Sequence, residues 1–286
     1  MNLQGRGVLI TGANRGLGKA IAEACVREGA HVLLSARNRD LLESARAGLH
    51  AIASSGQLVL AEAADVSRPE DVSRLLEFAI TNLPSLNGLV NNAGIYGPIG
   101  PVEDVDWRQW QRTIEVNLMG TVLMCRAVLP LFRRNRGGKI VNLSGGGATA
   151  PLPRFSAYAA SKAAVVRFTE TLAEETGEAG IDVNALAPGA LNTDMLDQVL
   201  AAGPTQAGEL IYRRCVKQKE EGGAPIERAA ALCVFLLSGR SDGITGKLIS
   251  AVWDPWESLS EHRAELKESD VYNLRRIVPK DRGLDW

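Results

Sequence analysis

Tyr158 and Lys162 stand four residues apart in a Y-x-x-x-K pattern. On a helix that spacing puts both side chains on one face, a turn apart. A phenol with an ordinary pKa near 10 is a poor base at neutral pH, and bringing it to about 7 takes roughly 4 kcal/mol in favour of the phenolate. An ammonium about 4 Å away supplies about that much at an effective dielectric of about 20. The pair is therefore a candidate acid/base, with Tyr158 moving a proton and Lys162 tuning it. A second group lies near the start of the chain, in Thr11-Gly12-Ala13-Asn14-Arg15-Gly16-Leu17-Gly18. Glycines between a strand and a helix let the backbone turn tightly and approach a pyrophosphate, whose charge the free N–H groups at the helix start stabilise. The spacing here is G-x-x-x-G-x-G, not G-x-G-x-x-G. A third group follows the second strand-like run, where the chain reads Ser35-Ala36-Arg37. An acid there would bind ribose hydroxyls and favour NAD. Arg37 instead suits a 2′-phosphate through a forked, charge-assisted contact, and Arg15 is a second cation able to reach it. NADP(H) is the expected cofactor, ahead of NAD(H).

Those residues need elements to hold them. Short apolar runs at 7–11, 31–34, 58–61, 88–90, 139–143, 181–185 and 247–251 read as strands. Helical periodicity occupies 17–28, 40–53, 69–81, 107–133, 156–178 and 229–237, with Ser67 as the expected N-cap of the third helix and Pro69 in its first turn. Strands nearly continuous in apolar residues, separated by helices, imply a parallel sheet covered on both faces. The expected fold is α/β, a Rossmann-type doubly wound sheet of seven strands in one catalytic domain over 1–253, followed by a C-terminal extension over 254–286.

The 286 residues suffice for one large core. With 32 basic and 33 acidic side chains the formal charge is -1, and no basic stripe argues for nucleic acid. Four cysteines show no C-x-x-C spacing, and His31, His50 and His262 are far apart, so no metal is expected. No leader-like segment and no run of about 20 apolar residues is evident, which predicts a cytoplasmic protein without a membrane span.

The glycine spacing, taken with later residues, resembles the short-chain dehydrogenase/reductase family over about residues 5 to 250. Asn91-Asn92-Ala93-Gly94 is similar to that family's motif after the fourth strand, and Asn117 falls in a matching helix. Pro188-Gly189-Ala190-Leu191-Asn192-Thr193 resembles its P-G-x-x-x-T, and Asp65-Val66 its adenine-contacting pair. The resemblance implies an enzyme that transfers a hydride between nicotinamide and a ketone/secondary alcohol substrate. It assigns Gly12, Asn14, Arg15, Gly16, Leu17 and Gly18 to the pyrophosphate turn. Arg37, Asp65 and Val66 go to the adenosine end. Asn92, Ala93, Gly94, Pro188, Gly189, Leu191 and Thr193 line the rest of the cofactor site, with Tyr158 and Lys162 at the nicotinamide ribose. Asn117 would fix a water in the proton relay. Family members assemble through two long helices, here 107–133 and 156–178, so a homodimer or homotetramer is expected.

Three departures from the family pattern stand out. Relatives carry a serine that hydrogen-bonds the substrate oxygen, at the end of N-x-S-S; here the run is Asn142-Leu143-Ser144-Gly145, and the usual offset from Tyr158 lands on Gly145. Ser144 is one residue early, and strand alternation would turn its side chain to the other side. Either the glycine loop lets Ser144 rotate in, or other donors such as Tyr158 and a backbone N–H hold the oxygen; Ser144 is kept as the catalytic candidate. Second, the substrate-covering stretch mixes Leu196, Val199, Leu200, Ile211 and Tyr212 with Arg213, Arg214, Lys217 and Lys219. A polar substrate such as a sugar or small metabolite is expected, the other reading of those cations being a solvated helix face. Third, the usual ending is replaced by a tail carrying Trp253, Trp256, Tyr272 and Trp286, too aromatic for disorder. It should pack on the substrate cleft or on a neighbouring subunit. Two other functions compete with this reading. A nucleotide-sugar-modifying enzyme would carry G-x-x-G-x-x-G, which Gly12, Gly16 and Gly18 do not match. An NADP(H)-sensing binding protein with an impaired site would explain the missing serine, but Asn117, Tyr158 and Lys162 are all retained.

Overall fold

The computed structural model describes residues 2–286. Its strands are β1 (Gly7–Thr11), β2 (His31–Ala36), β3 (Val59–Ala63), β4 (Gly88–Asn91), β5 (Gly138–Leu143), β6 (Ile181–Ala187) and β7 (Leu248–Ser250). The helices are α1 (Gly16–Arg27), α2 (Arg39–His50), α3 (Pro69–Asn82), α4 (Trp107–Ile114), α5 (Gly120–Arg134), α6 (Ser156–Thr176), α7 (Asp194–Ala207), α8 (Glu209–Glu221), α9 (Ile226–Leu237) and α10 (Arg263–Glu268). All seven strands join one parallel sheet in the order β3-β2-β1-β4-β5-β6-β7.

Strand alternation divides the apolar side chains between two cores. Val8, Ile10, Val32, Leu34 and Val90 point to the face covered by α1, α2 and α9. Leu9, Leu33, Leu89 and Ile140 point to the opposite face, covered by α3, α5 and α6. The helices answer with stripes at their own period, such as Ile21, Ala22, Cys25 and Val26 on α1. Sheet order reverses between β1 and β4, so the C-terminal ends of these strands border the crevice where such folds bind ligands.

Several local expectations are revised. Ser67 does not cap α3: Arg68 takes the N-cap position without a side-chain bond, and the Ser67 hydroxyl instead donates to Asp65 at 2.7 Å. The single helix read over 107–133 is interrupted by a π turn, Glu115–Met119, which carries Asn117. Residues Trp107–Arg134 taken alone are long and apolar enough to cross a bilayer, against the expectation of no such run. In the fold, Met124, Cys125, Val128 and Phe132 of this helix fill the sheet core.

The tail lies on its own subunit, at the sheet edge and not beside Tyr158. The Leu248 N–H of the edge strand donates to the Tyr272 carbonyl at 2.8 Å, and the Leu274 N–H donates to Glu170 of α6 at 2.6 Å. A bare edge strand needs backbone partners, and the extension supplies one. Trp256 is buried 5.8 Å from the Phe235 ring, with Leu259 and Leu266 in the same core, whereas Trp253 and Trp286 are exposed.

Candidate active site

The turn after β1 has the shape its glycines predict. Gly12 and Gly16 hold φ of +64° and +53°, and a Cβ on Gly18 would sit 2.3 Å from the Gly12 carbonyl oxygen. Without side chains at these points α1 approaches the turn closely. No side chain caps α1, so its first N–H groups remain for an anion. The neighbouring motif stitches the turn in place: the Asn92 side-chain amide donates to the Thr11 and Gly12 carbonyls, each at 3.0 Å, and the Ala93 N–H donates to the Thr11 hydroxyl at 3.1 Å. From the other side the loop after β6 closes in. A Cβ on Gly16 would touch Thr193, and Gly189 has φ +87° with no room for a Cβ against Val252. Asn14, Leu17, Pro188 and Leu191 are half-buried around the same crevice. These segments fit a dinucleotide.

At the adenosine end Ala36 closes β2 and Arg37 is exposed just beyond it. Arg15 reaches across to form an ion pair with Asp194 at the head of α7, a partner the sequence did not suggest. Asp65 accepts from the Ser67 N–H and hydroxyl and pairs with Arg112 at 2.5 Å. Partial burial opposes its ionisation, but Ser67 and Arg112 outweigh that and hold the carboxyl below its usual range. Val66 packs against Gly120, where a Cβ would come within 2.7 Å of it.

Asn117, Tyr158 and Lys162 come together behind this crevice, all buried. Asn117 spends its side chain on protein: Oδ1 accepts from the Ile95 N–H at 2.8 Å, and Nδ2 donates to the Ile95 carbonyl and to Ser161, each at 2.9 Å. It thereby locks the loop after β4 to α6. Lys162 lies against Gly94, donates to the Leu143 carbonyl at 2.7 Å, and has Nζ 5.7 Å from the Tyr158 ring centre. Burial lowers the Lys162 pKa to about 8. Burial, with Tyr96 nearby, pushes the Tyr158 phenol far above its ordinary value. The Lys162 ammonium is turned to the Leu143 carbonyl in this arrangement.

Gly145, not Ser144, faces Tyr158. A Cβ at position 145 would lie 2.2 Å from the Tyr158 hydroxyl oxygen. The Ser144 hydroxyl is buried and has no hydrogen-bond partner, Tyr158 included. Even-numbered residues of β5 point toward α6, where Asn142 donates to Thr169 at 2.9 Å, and Ser144 continues that alternation.

The surroundings of Tyr158 are apolar. Phe155, Val199 and Ala207 are buried with it, and Leu152, Met195, Ile211 and Tyr212 pack around them. The basic residues that suggested a polar substrate are directed elsewhere. Arg213 pairs with Glu209, Lys217 with Glu221 and Lys219 with Asp197, all at exposed positions, and Arg214 is exposed. One residue was missed from sequence altogether. Tyr96 packs edge-on against Tyr158, with ring centres 4.6 Å apart at 66°. Its place two residues after Gly94 was the available signal.

The short-chain dehydrogenase family model matches residues 6–202. A 3beta-hydroxysteroid dehydrogenase of Eggerthella lenta is 38% identical over 248 residues, covering 86% of this chain and 91% of that protein. Among solved structures, a levodione reductase superposes with a TM-score of 0.80 at 28% identity, covering 91% of this chain and 99% of the other. An NAD+-bound xylitol dehydrogenase superposes equally well, at 0.80 and 25% identity, over 87% and 98%.

Proposed function

Because the chain belongs to the short-chain dehydrogenase family, we propose that it is an NADP(H)-dependent oxidoreductase acting on a ketone/secondary alcohol pair flanked by apolar groups. The observation that carries this reading is the burial of Tyr158 and Lys162 together at the crevice, under an apolar cap. A dinucleotide held in the crevice by the glycine turn and the loop after β6 would supply or accept the hydride. Tyr158 would donate a proton to the substrate oxygen in carbonyl reduction and take it back in alcohol oxidation. Lys162 uses one of its three N–H donors on Leu143, leaving the others for the nicotinamide ribose. Asn117 positions the loop that faces Lys162.

The preference for NADP(H) rests on Ala36 and the exposed Arg37. Arg15 contributes less, since Asp194 already engages it. The apolar residues around Tyr158 favour an apolar-flanked substrate over a sugar-like one, as in the steroid and levodione enzymes to which the chain is similar, while a xylitol dehydrogenase is similar too. A homodimer or homotetramer would cover Trp107 and Met119, large apolar side chains exposed on the long helix.

The test is NADPH oxidation with cyclohexanone, levodione, androstane-3,17-dione and xylulose, run beside Tyr158→Phe and Arg37→Ala. Tyr158→Phe should lose about 100-fold or more in kcat. Arg37→Ala should weaken NADPH binding about 10- to 100-fold, as loss of a charge-assisted contact does, with NADH binding unchanged. Full activity of Tyr158→Phe would sink the mechanism. Equal losses for both cofactors would sink the phosphate preference, and turnover of xylulose alone would sink the apolar substrate.

A further inference from the structure

The site described above lacks a partner for Tyr158. Gly145 contributes no side chain, and the Ser144 hydroxyl is buried away from Tyr158. A carbonyl oxygen that takes on charge in the transition state is stabilised best by more than one preorganised donor. We propose that the Tyr96 hydroxyl is the second donor to the substrate oxygen, in the role a serine at position 145 would otherwise fill. This rests on the reading of Tyr158 as the proton donor.

Three features support the assignment. The first is proximity: the Tyr96 ring meets the Tyr158 ring edge-on at 4.6 Å and the Phe155 ring at 5.4 Å, which places it in the same apolar cluster. The second is preorganisation. Both backbone groups of Ile95 are bonded to the Asn117 side chain. On the other side Gly97 holds φ +72° and presses on Thr113, where a Cβ would collide at 1.8 Å. Tyr96 thus sits between two fixed residues, as a donor that must not reorganise requires. The third is chemistry. Burial, with Cys215 nearby, raises the Tyr96 pKa to about 12, so the hydroxyl stays protonated as a donor must. Cys215 is half-buried in the same cluster and offers no comparable donor.

Tyr96→Phe keeps the ring and removes only the hydroxyl. With androstane-3,17-dione and cyclohexanone as probes, kcat should fall about 100-fold, as for loss of one preorganised donor. KM, NADPH affinity measured by fluorescence, and Tm should stay within about twofold or a few degrees of the parent. Tyr96→Leu, which removes the ring as well, should lower kcat at least as much and also lower Tm. A Tyr96→Phe enzyme with kcat within threefold of the parent overturns the proposal, and with a defective Tyr96→Leu it reduces Tyr96 to packing. Tyr158→Phe measured alongside separates the two ideas: if it retains activity, the proton-donor reading fails first, whatever Tyr96 does.

Discussion

Placing a serine at Gly145 restores the side chain that relatives carry, yet here it should harm the enzyme. The added Cβ would lie 2.2 Å from the Tyr158 hydroxyl oxygen and 3.1 Å from the carbon bearing it. Comfortable separation is roughly 3.5 Å, so one partner must move by about 1 Å. The loop cannot easily retreat, because Gly147 at φ +88° already lies where a Cβ would be 2.6 Å from Ala159 of α6. Tyr158 is also packed edge-on by Tyr96, which is itself backed by Phe155. A displacement of about 1 Å in a catalytic group costs on the order of 100-fold in rate. Overpacking adds roughly 1–3 kcal/mol of lost stability. Gly145→Ala and Gly145→Ser should therefore show similar losses of kcat and lower Tm, measured by steady-state NADPH oxidation and thermal melts. A Gly145→Ser enzyme as fast as the parent, or faster, would refute the argument that Tyr158 occupies the serine's space.

Two further outcomes follow from the buried lysine and the tail. Lys162 has a folded pKa of about 8 against an unfolded value of 10.5, so between these the unfolded chain binds more protons and stability rises with pH. From pH 8 to 10 the gain is about 2 kcal/mol. Above pH 10 the raised Tyr158 pKa acts in the opposite sense, since the folded phenol keeps a proton that the unfolded one gives up. Urea melts of Lys162→Met across that window should lose the rise; an unchanged slope would show that Lys162 does not cause it. Trp256→Ala should cost about 3–5 kcal/mol, since it empties a buried site against α9. Trp253→Ala, at an exposed position, should be neutral, and equal effects of the two would contradict the tail packing described.

What could be read from the sequence was whatever depends on local spacing. The seven strands follow from apolar runs bounded by helical periodicity, and the glycine turn from residues that must take positive φ or allow close approach. Tyr158 and Lys162 were visible because a four-residue spacing on a helix fixes a shared face. The effect of one on the other was not, because spacing says nothing about burial. Desolvation raises the tyrosine and lowers the lysine, and only the packed cap of Phe155, Leu152 and Tyr96 reveals its size. The partners of the basic residues on α8 were hidden for a related reason. Arg213 and Lys217 meet carboxylates four residues away on the same helix, Lys219 reaches across to Asp197, and composition alone does not reveal which way a helix turns. The π turn at Asn117 and the Arg15–Asp194 pair are likewise products of tertiary contact.

The loop after β4 explains why these parts act as a unit. Asn92 ties the pyrophosphate turn, Gly94 faces the Lys162 ammonium, Ile95 is bonded through both backbone groups to Asn117, and Tyr96 rests on Tyr158. Five successive residues thus connect the glycine turn to Tyr158. Asn117 anchors them to α6 through Ser161, which in turn donates to the Tyr158 carbonyl at 2.7 Å. The three hydrogen bonds of the Asn117 side chain hold the loop and α6 in register. A rigid loop of this kind is what allows a donor other than the expected serine. Because Tyr96 is fixed at both neighbours, a glycine at 145 can leave room for Tyr158 without leaving the substrate oxygen to a single hydroxyl.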